Sequence, residues 1–225
     1  MYSLDTVPTY VSLAFLATTL LTIWLFFRAT NHAKPTLIIL FSWSIVQSLI
    51  ALSGLYLDTS AIPPRILLSL LPVFILIALL FNTKKGKEFI DSLSLEKLTL
   101  LHIIRVPVEI VLYWLFLSKA IPELMTFTGR NFDILAGITA PIIYYFVFVK
   151  KTMNKKILLA WNIICLLLLI NIVVHAILAS PVPFQQFAFE QPNIAILYFP
   201  YNLLPSVVVP LVLFSHLVAL RKLLK

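Results

Sequence analysis

Hydrophobic residues along the chain form seven long apolar runs separated by short polar links. A helix needs about 20 apolar residues to cross the ~30 Å hydrocarbon core of a bilayer. The runs, numbered one to seven, cover residues 7–29, 35–57, 63–82, 99–119, 132–150, 156–179 and 194–220. Their lengths predict an all-α polytopic membrane protein, in which residues 1–225 form a single domain of seven transmembrane helices.

The composition agrees with a membrane protein and excludes an ordinary soluble domain. Hydrophobic residues make up 61% of the 225 residues, charged residues only 12%, and the mean hydropathy is +1.02. This is more apolar material than one soluble core can bury. The lipid bilayer is therefore the predicted surrounding, and a bacterial inner membrane or its equivalent the predicted location.

The basic residues predict the orientation of the helices. The formal net charge is +8, but the Lys and Arg residues lie in short clusters between apolar runs, so a nucleic-acid partner is not expected. Thirteen fall on one side of the predicted membrane and three on the other. The thirteen are Arg28, Lys34, Lys84, Lys85, Lys87, Lys97, Lys150, Lys151, Lys155, Lys156, Arg221, Lys222 and Lys225, and the three are Arg65, Lys119 and Arg130. The positive-inside rule places the N-terminus outside and the C-terminus in the cytoplasm.

Run four differs from the other runs because it carries ionisable residues at depth. His102, Arg105, Glu109 and Tyr113 fall within an arc of about 80° on a helix with 3.6 residues per turn. Counted from an inner boundary near residue 98, Glu109 lies about 16 Å deep, close to the midplane. Arg105 and Glu109 are four residues apart, a spacing that predicts an ion pair within the helix. The alternatives are a functional site for a substrate or proton and a purely structural ion pair.

Several polar residues in other runs occur at similar depth. Thr18, Thr19 and Tyr145 are among them, and the candidate site residues are Gln47, Tyr144, Asn171 and Asn202. Together with the polar residues of run four they predict one central cavity, while the alternative for each is an interhelical hydrogen bond. Run seven contains Pro200, Pro205 and Pro210, which predict an interrupted or kinked helix beside that cavity.

Two links carry hydrophobic side chains. The outer link before run seven contains Phe184, Phe187 and Phe189 and no Lys or Arg, so it could form a lid over the cavity or an anchor in the membrane interface. Residues 87–98 place Phe89, Ile90 and Leu93 on one helical face. This pattern is typical of a helix along the cytoplasmic leaflet and equally of a short polar loop with a frayed helical turn.

An internal repeat is a further hypothesis. Residues 39–46 align without a gap with residues 157–164, and residues 70–74 resemble residues 208–212. Runs one to three and five to seven would then be parallel repeats joined by run four, a 3+1+3 arrangement. In number and order of spans this layout resembles the SWEET and PQ-loop transporters. The resemblance covers topology alone, since the chain has no Pro-Gln motif and its predicted connector carries the ionisable residues.

Catalytic and cofactor chemistry is not predicted. The single cysteine, Cys165, lies inside run six, and no His-Glu-x-x-His pattern occurs, so neither a catalytic residue nor a metal site is expected. Haem held by His102 and His216, which both fall near the inner face, is the alternative.

These patterns favour an integral membrane protein that binds or transports a small solute or a proton-coupled substrate. The predicted ligand is a small molecule held at the midplane by the polar residues of run four. The second hypothesis is a non-transporting seven-helix sensor or assembly subunit, which would pack against a membrane partner or a second copy of itself. An intramembrane enzyme or a haem or metal protein is the third.

Overall fold

The computed structural model describes residues 4–225, and in that range the chain forms helices and loops without a β-strand. The prediction of an all-helical chain is confirmed. The α-helices are α1 (Thr9–Ala29), α2 (Lys34–Leu52), α3 (Leu67–Asn82), α4 (Lys84–Ser92), α5 (Leu95–Leu101), α6 (Arg105–Leu117), α7 (Ile134–Tyr144), α8 (Lys155–Leu178) and α9 (Val209–Leu223). Short 3₁₀ turns occur at Leu55–Leu57, His102–Ile104, Glu123–Met125 and Ala195–Leu197, and π turns at Tyr145–Val149 and Leu204–Val208.

Several of these helices are long and apolar enough to cross a membrane. Five segments qualify: α1, α2, Leu95–Leu117, α8 and Leu204–Leu223. Helices α3 and α4 count as a sixth when taken together, although the chain bends by 91° between them. The segment Ile134–Val149 is apolar but shorter. Each predicted run therefore contains a helix, and five or six have the dimensions of a membrane span.

Run four lies at the centre of the bundle rather than at its edge. Its two helices, α5 and α6, pack against α1 and α7, and α5 also packs against α9. The buried apolar side chains Leu98, Leu101, Ile104, Leu112 and Leu115 join one large core cluster with residues of α1 and α9. The polar side chains of run four are thus held among protein helices.

A 3₁₀ turn separates α5 from α6, and Pro107 accounts for it. Proline has no N–H for the carbonyl four residues earlier, and its ring clashes with that carbonyl. The affected carbonyl belongs to Ile103, inside the 3₁₀ turn His102–Ile104. The tighter turn changes the direction of the side chains just before Arg105.

Two other prolines leave carbonyl groups that α2 side chains use as acceptors. Pro72 cannot donate to the Leu68 carbonyl, which accepts a hydrogen bond from Gln47 Nε2 at 3.3 Å. Pro210 cannot donate to the Ser206 carbonyl, which accepts from Trp43 Nε1 at 2.9 Å. Trp43 and Gln47 are one helical turn apart, so a single face of α2 is attached to both α3 and run seven.

Gln47 makes further bonds at this junction. Its side-chain oxygen accepts a hydrogen bond from the Tyr56 hydroxyl, and its backbone carbonyl accepts from Asn202 Nδ2 at 2.9 Å. Gln47 and Asn202 are both fully buried, and Tyr56 nearly so. These contacts fix the C-terminal half of α2 against the irregular part of run seven.

Run seven is interrupted, as its prolines predict. Residues 194–203 form a 3₁₀ turn and irregular turns, and the π turn Leu204–Val208 follows before α9 begins at Val209. Asn202 is buried in the irregular segment. Non-helical backbone at this depth is tolerated where protein surrounds it.

The end of α9 is bonded to α4. The Asp91 carboxylate accepts a hydrogen bond from Lys225 Nζ at 2.7 Å and lies 3.5 Å from Arg221 Nε. The bond from Lys225 lowers the pKa of Asp91 below its ordinary value. Lys222 Nζ donates to the carbonyl groups of Asp91 and Leu93. Residues 87–92 belong to α4, so the segment 87–98 is more than a polar loop.

The junction at Gln47 predicts a measurable coupling. We expect Gln47→Leu to lower the free energy of unfolding by about 1–2 kcal/mol, because it leaves the buried Tyr56 hydroxyl without its acceptor. Adding Tyr56→Phe should restore part of that loss. Unfolding of the single and double variants in detergent micelles measures both effects, and strictly additive losses would contradict the coupling.

Candidate functional site

The polar residues of run four meet polar residues of α7, α8 and α9 in the protein interior. We call this group the Arg105 cluster, and it consists of His102, Arg105, Asp133, Asn162 and His216. Each of these residues is at most 5% exposed. Glu109, 2% exposed, lies next to the cluster on α6.

Arg105 contacts three other parts of the chain. Its Nη1 lies 3.0 Å from Asp133 Oδ1, at the start of α7. The same nitrogen donates to the Cys165 carbonyl on α8 at 3.2 Å. Its Nη2 bonds His216 Nε2 on α9 at 2.9 Å. One guanidinium group therefore links run four to all three of the helices that follow it.

The hydrogen bonds assign one tautomer to His216. Arg105 can only donate, so His216 Nε2 must accept with its lone pair. His216 Nδ1 lies 3.0 Å from Asn162 Oδ1, and Asn162 Nδ2 donates to the Leu158 carbonyl at 2.9 Å. The Asn162 oxygen is thus the acceptor, and His216 Nδ1 carries the hydrogen. His216 is neutral in this arrangement.

His102 contacts the cluster through its ring. The imidazoles of His102 and His216 are stacked with centroids 3.9 Å apart and planes 18° apart. The Trp161 indole meets His102 edge-on at 5.5 Å and donates its N–H to Thr139 Oγ1 at 2.9 Å. His102 Nδ1 is buried and has no hydrogen-bond partner among residues 4–225.

Glu109 is held by Asn131 rather than by Arg105. Asn131 Nδ2 donates to Glu109 Oε1 at 2.6 Å and to the Met125 carbonyl at 3.0 Å. Glu109 Oε2 and Arg105 Nε are buried and make no hydrogen bond with the described part of the chain. The carboxyl group therefore has one strong donor and one oxygen without a partner.

The predicted intrahelical pair between Arg105 and Glu109 is wrong, because Arg105 forms its ion pair with Asp133. Pairs spaced by four residues are favoured when the acid precedes the base, and here the order is reversed. In addition, side chains on a helix point towards its N-terminus, which directs Arg105 away from the turn that follows. The result is one cation near two carboxyl groups.

Gly137 allows the ion pair to form. An added Cβ at this position of α7 would lie 2.8 Å from Val106 Cγ2 and 2.9 Å from the Val106 backbone nitrogen. Any larger residue would therefore push α7 away from α6. The close approach brings Asp133, one turn before Gly137, within reach of Arg105.

The other predicted site residues lie elsewhere. Tyr113 is half-buried against Phe127, with ring centroids 5.0 Å apart. The Tyr144 hydroxyl donates to Glu96 at 2.9 Å, and Asn171 Nδ2 donates to the Arg130 carbonyl at 3.0 Å. Gln47 and Asn202 belong to the junction around α2. Of the eight predicted residues, the structure brings together His102, Arg105 and Glu109.

Sequence reasoning missed Asn131, Asp133 and Asn162. Asn131 lies just before run five and Asp133 at its start, where polar residues ordinarily mark a membrane boundary. One signal could have found Asp133: apart from Glu109, it is the only acidic residue within any of the seven runs. A buried arginine needs an acid, and Asp133 was the remaining choice.

The link before run seven packs beside the bundle. Phe187 stacks on His175 with centroids 5.7 Å apart, and Gln191 Nε2 donates to the Ile121 carbonyl at 2.5 Å. Phe189 is 69% exposed, the most exposed of the three phenylalanines. The lid and the anchor in the membrane interface both stay predictions.

The geometry of the histidines also bears on metal and haem. Within residues 4–225 no group of three or more His, Cys, Asp or Glu side chains could hold a metal ion. His102 and His216 stack directly on each other, and both nitrogens of His216 are bonded within the protein. This arrangement leaves no gap for a porphyrin between the two rings.

A protein family described as "Domain of unknown function (DUF8737)" matches residues 62–224. No curated protein and no solved structure matches the chain. The matched range contains Arg105, Glu109, Asp133 and His216, and it excludes α1 and α2.

The contacts of the two carboxyl groups predict different effects of neutralising them. We expect Asp133→Asn to lower the free energy of unfolding by about 3–5 kcal/mol, because it leaves a buried guanidinium without its counter-charge. Glu109→Gln should cost less than about 1 kcal/mol, because the amide oxygen still accepts from Asn131. Denaturation of both variants in detergent gives the comparison. A larger loss for Glu109→Gln than for Asp133→Asn would contradict the assignment of the ion pair.

Proposed function

We propose that this chain, which belongs to the DUF8737 family, is an integral membrane protein of seven transmembrane helices that binds or transports a small solute and carries a proton on Glu109. In this proposal the N-terminus is outside and the C-terminus cytoplasmic.

The topology is supported by the helices and by the basic residues. Each of the seven apolar runs contains a helix, and thirteen Lys and Arg residues against three favour one side of the bundle. Two helices are short for a crossing: α3 has 16 residues, about 24 Å at 1.5 Å per residue, and Ile134–Val149 is of the same length. Flanking residues and a locally thinner bilayer accommodate such lengths. The 3+1+3 repeat stays a prediction.

The observation that carries the function is the state of the Glu109 carboxyl. It is buried, it accepts one hydrogen bond from Asn131, and its second oxygen has no partner among the described residues. The single guanidinium nearby is already paired with Asp133. Ionised Glu109 would be a buried negative charge without a counter-charge, which is energetically very costly. The protonated form of Glu109 therefore fits the site.

Loss of that proton would disturb the whole cluster. Ionised Glu109 would repel Asp133 and compete with it for Arg105, whose contacts tie together run four, α7, α8 and α9. A proton on one residue can thus be converted into a change in helix packing. Proton-coupled transporters need this property, and ionisable residues inside membrane helices commonly serve it.

A second candidate is a sensor or assembly subunit that does not transport. One observation favours it: Arg105 is fully enclosed and its contacts join four helices, as expected of a structural lock. In that case the same cluster would hold the bundle in one conformation.

Transport can be tested with purified protein in liposomes that contain a pH-sensitive dye. Panels of organic acids, amines, amino acids and sugars are added outside while the internal pH is recorded. We expect at least one class to cause a pH change that depends on the protein and that Glu109→Gln abolishes. Glu123→Gln, at an exposed position outside the predicted runs, is the matched control and should behave like the wild type.

Two results would contradict the proposal. Wild-type activity in Glu109→Gln would show that Glu109 does not carry the coupled proton. The absence of any protein-dependent pH change with folded wild-type protein would favour the sensor or assembly subunit.

A further inference from the structure

A large cavity lies away from the Arg105 cluster, between α1, α2, α3 and the start of α9. Its volume is about 540 Å³, within the range of pockets that hold organic ligands. Trp43, Pro72, Leu76, Phe89 and Phe214 are among the residues that line it. The proline and tryptophan positions that attach α2 to its neighbours therefore also form the walls of this cavity.

The walls offer hydrocarbon to a ligand and few free polar groups. Apart from Thr36 and Ser206, the lining side chains are apolar or aromatic. The Trp43 N–H is used by the Ser206 carbonyl, and the Ser206 hydroxyl donates to the Asn202 carbonyl at 2.8 Å. A polar solute would lose its hydrogen bonds to water here and gain none from the protein, whereas an alkyl chain has none to lose.

The cavity opens towards the lipid-facing side of the bundle. Two of its lining residues, Ile39 on α2 and Leu76 on α3, are 58% and 47% exposed. Both helices expose most of their apolar side chains, so in a bilayer the space between them faces lipid tails. A chain could enter sideways without leaving the hydrocarbon core.

Basic residues lie at the inner end of the cavity. Lys34 is the first residue of α2 and directly precedes the lining residue Pro35. Lys84 and Lys85 begin α4, and Lys85 lies one turn before the lining residue Phe89 on the same helical face. All three lysines are exposed, and none forms an ion pair within the described part of the chain. Such clusters beside a membrane attract anionic headgroups.

We infer that this cavity binds one acyl chain of an anionic membrane lipid, with the headgroup at Lys34, Lys84 and Lys85. The lipid comes from the leaflet on the side of the basic links, the cytoplasmic leaflet in the proposed orientation. The inference shares with the proposed function the embedding of the chain in a membrane and the side on which the basic links lie. It involves neither Glu109 nor Arg105, so each can fail without the other.

The test uses nanodiscs containing phosphatidylglycerol with a photoactivatable diazirine on its acyl chain. After illumination, mass spectrometry locates the labelled peptides. We expect residues 35–43 and 72–80 to be labelled more strongly than the lipid-facing surface of α8. Phosphatidylcholine with the same chain should label these residues less, and replacing Lys34, Lys84 and Lys85 by Gln should remove the difference between the two lipids.

Two tryptophan substitutions provide the matched comparison. Leu76→Trp fills the cavity from its opening and should abolish the specific labelling. Leu79→Trp introduces the same side chain on the same helix at a position that is 54% exposed and outside the lining, and should leave labelling unchanged. Ile39→Trp blocks the opening from α2 and serves if Leu76→Trp does not fold.

Three outcomes would overturn the inference. Even labelling around the whole bundle would indicate ordinary surrounding lipid, and undiminished labelling in folded Leu76→Trp and Ile39→Trp would place the lipid elsewhere. Equal labelling by both lipids would contradict a preference for an anionic headgroup.

Discussion

A guanidinium group buried among apolar helices must be surrounded by acceptors, because arginine keeps its charge at any physiological pH. In this protein Arg105 has its counter-charge in Asp133, directly before α7, and its acceptors in the Cys165 carbonyl on α8 and His216 on α9. Two further residues support these contacts. Asn162 holds His216 in one tautomer, and Gly137, which has no side chain, lets Asp133 come close to Arg105. The relative positions of run four, α7, α8 and α9 all depend on this one charge.

The contacts of α2 with α3 and run seven depend on proline residues instead. Proline removes a helical donor, and the carbonyl left behind then bonds a side chain of a neighbouring helix. Gln47 and Trp43 make use of two such carbonyls, at Leu68 and Ser206. Because α2 is attached at these points and otherwise exposes its surface, a space remains between α2 and α3. The apolar cavity thus lies beside the bonds that attach α2 to its neighbours.

Sequence periodicity was sufficient to predict the helices, the interruption of run seven, and that His102, Arg105 and Glu109 share a face. It could not give their partners. Arg105 and Glu109 have the spacing of a pair within one helix, but each binds a residue near the start of run five instead. Arg105 pairs with Asp133, and Glu109 accepts a hydrogen bond from Asn131. A similar depth along the runs did not predict whether Tyr144, Asn171 and Gln47 join the Arg105 cluster, because residues at one depth can lie on opposite sides of a bundle. The rotation of each helix follows from packing, which no local pattern encodes.

The protonation state of Glu109 is the most direct test of the proposed function. Infrared difference spectra of wild-type protein and Glu109→Gln in nanodiscs report the carbonyl stretch of a protonated carboxyl group. At neutral pH we expect the wild type to show this band and Glu109→Gln to lack it. A wild-type spectrum at neutral pH that contains only the carboxylate signal for this residue would contradict it.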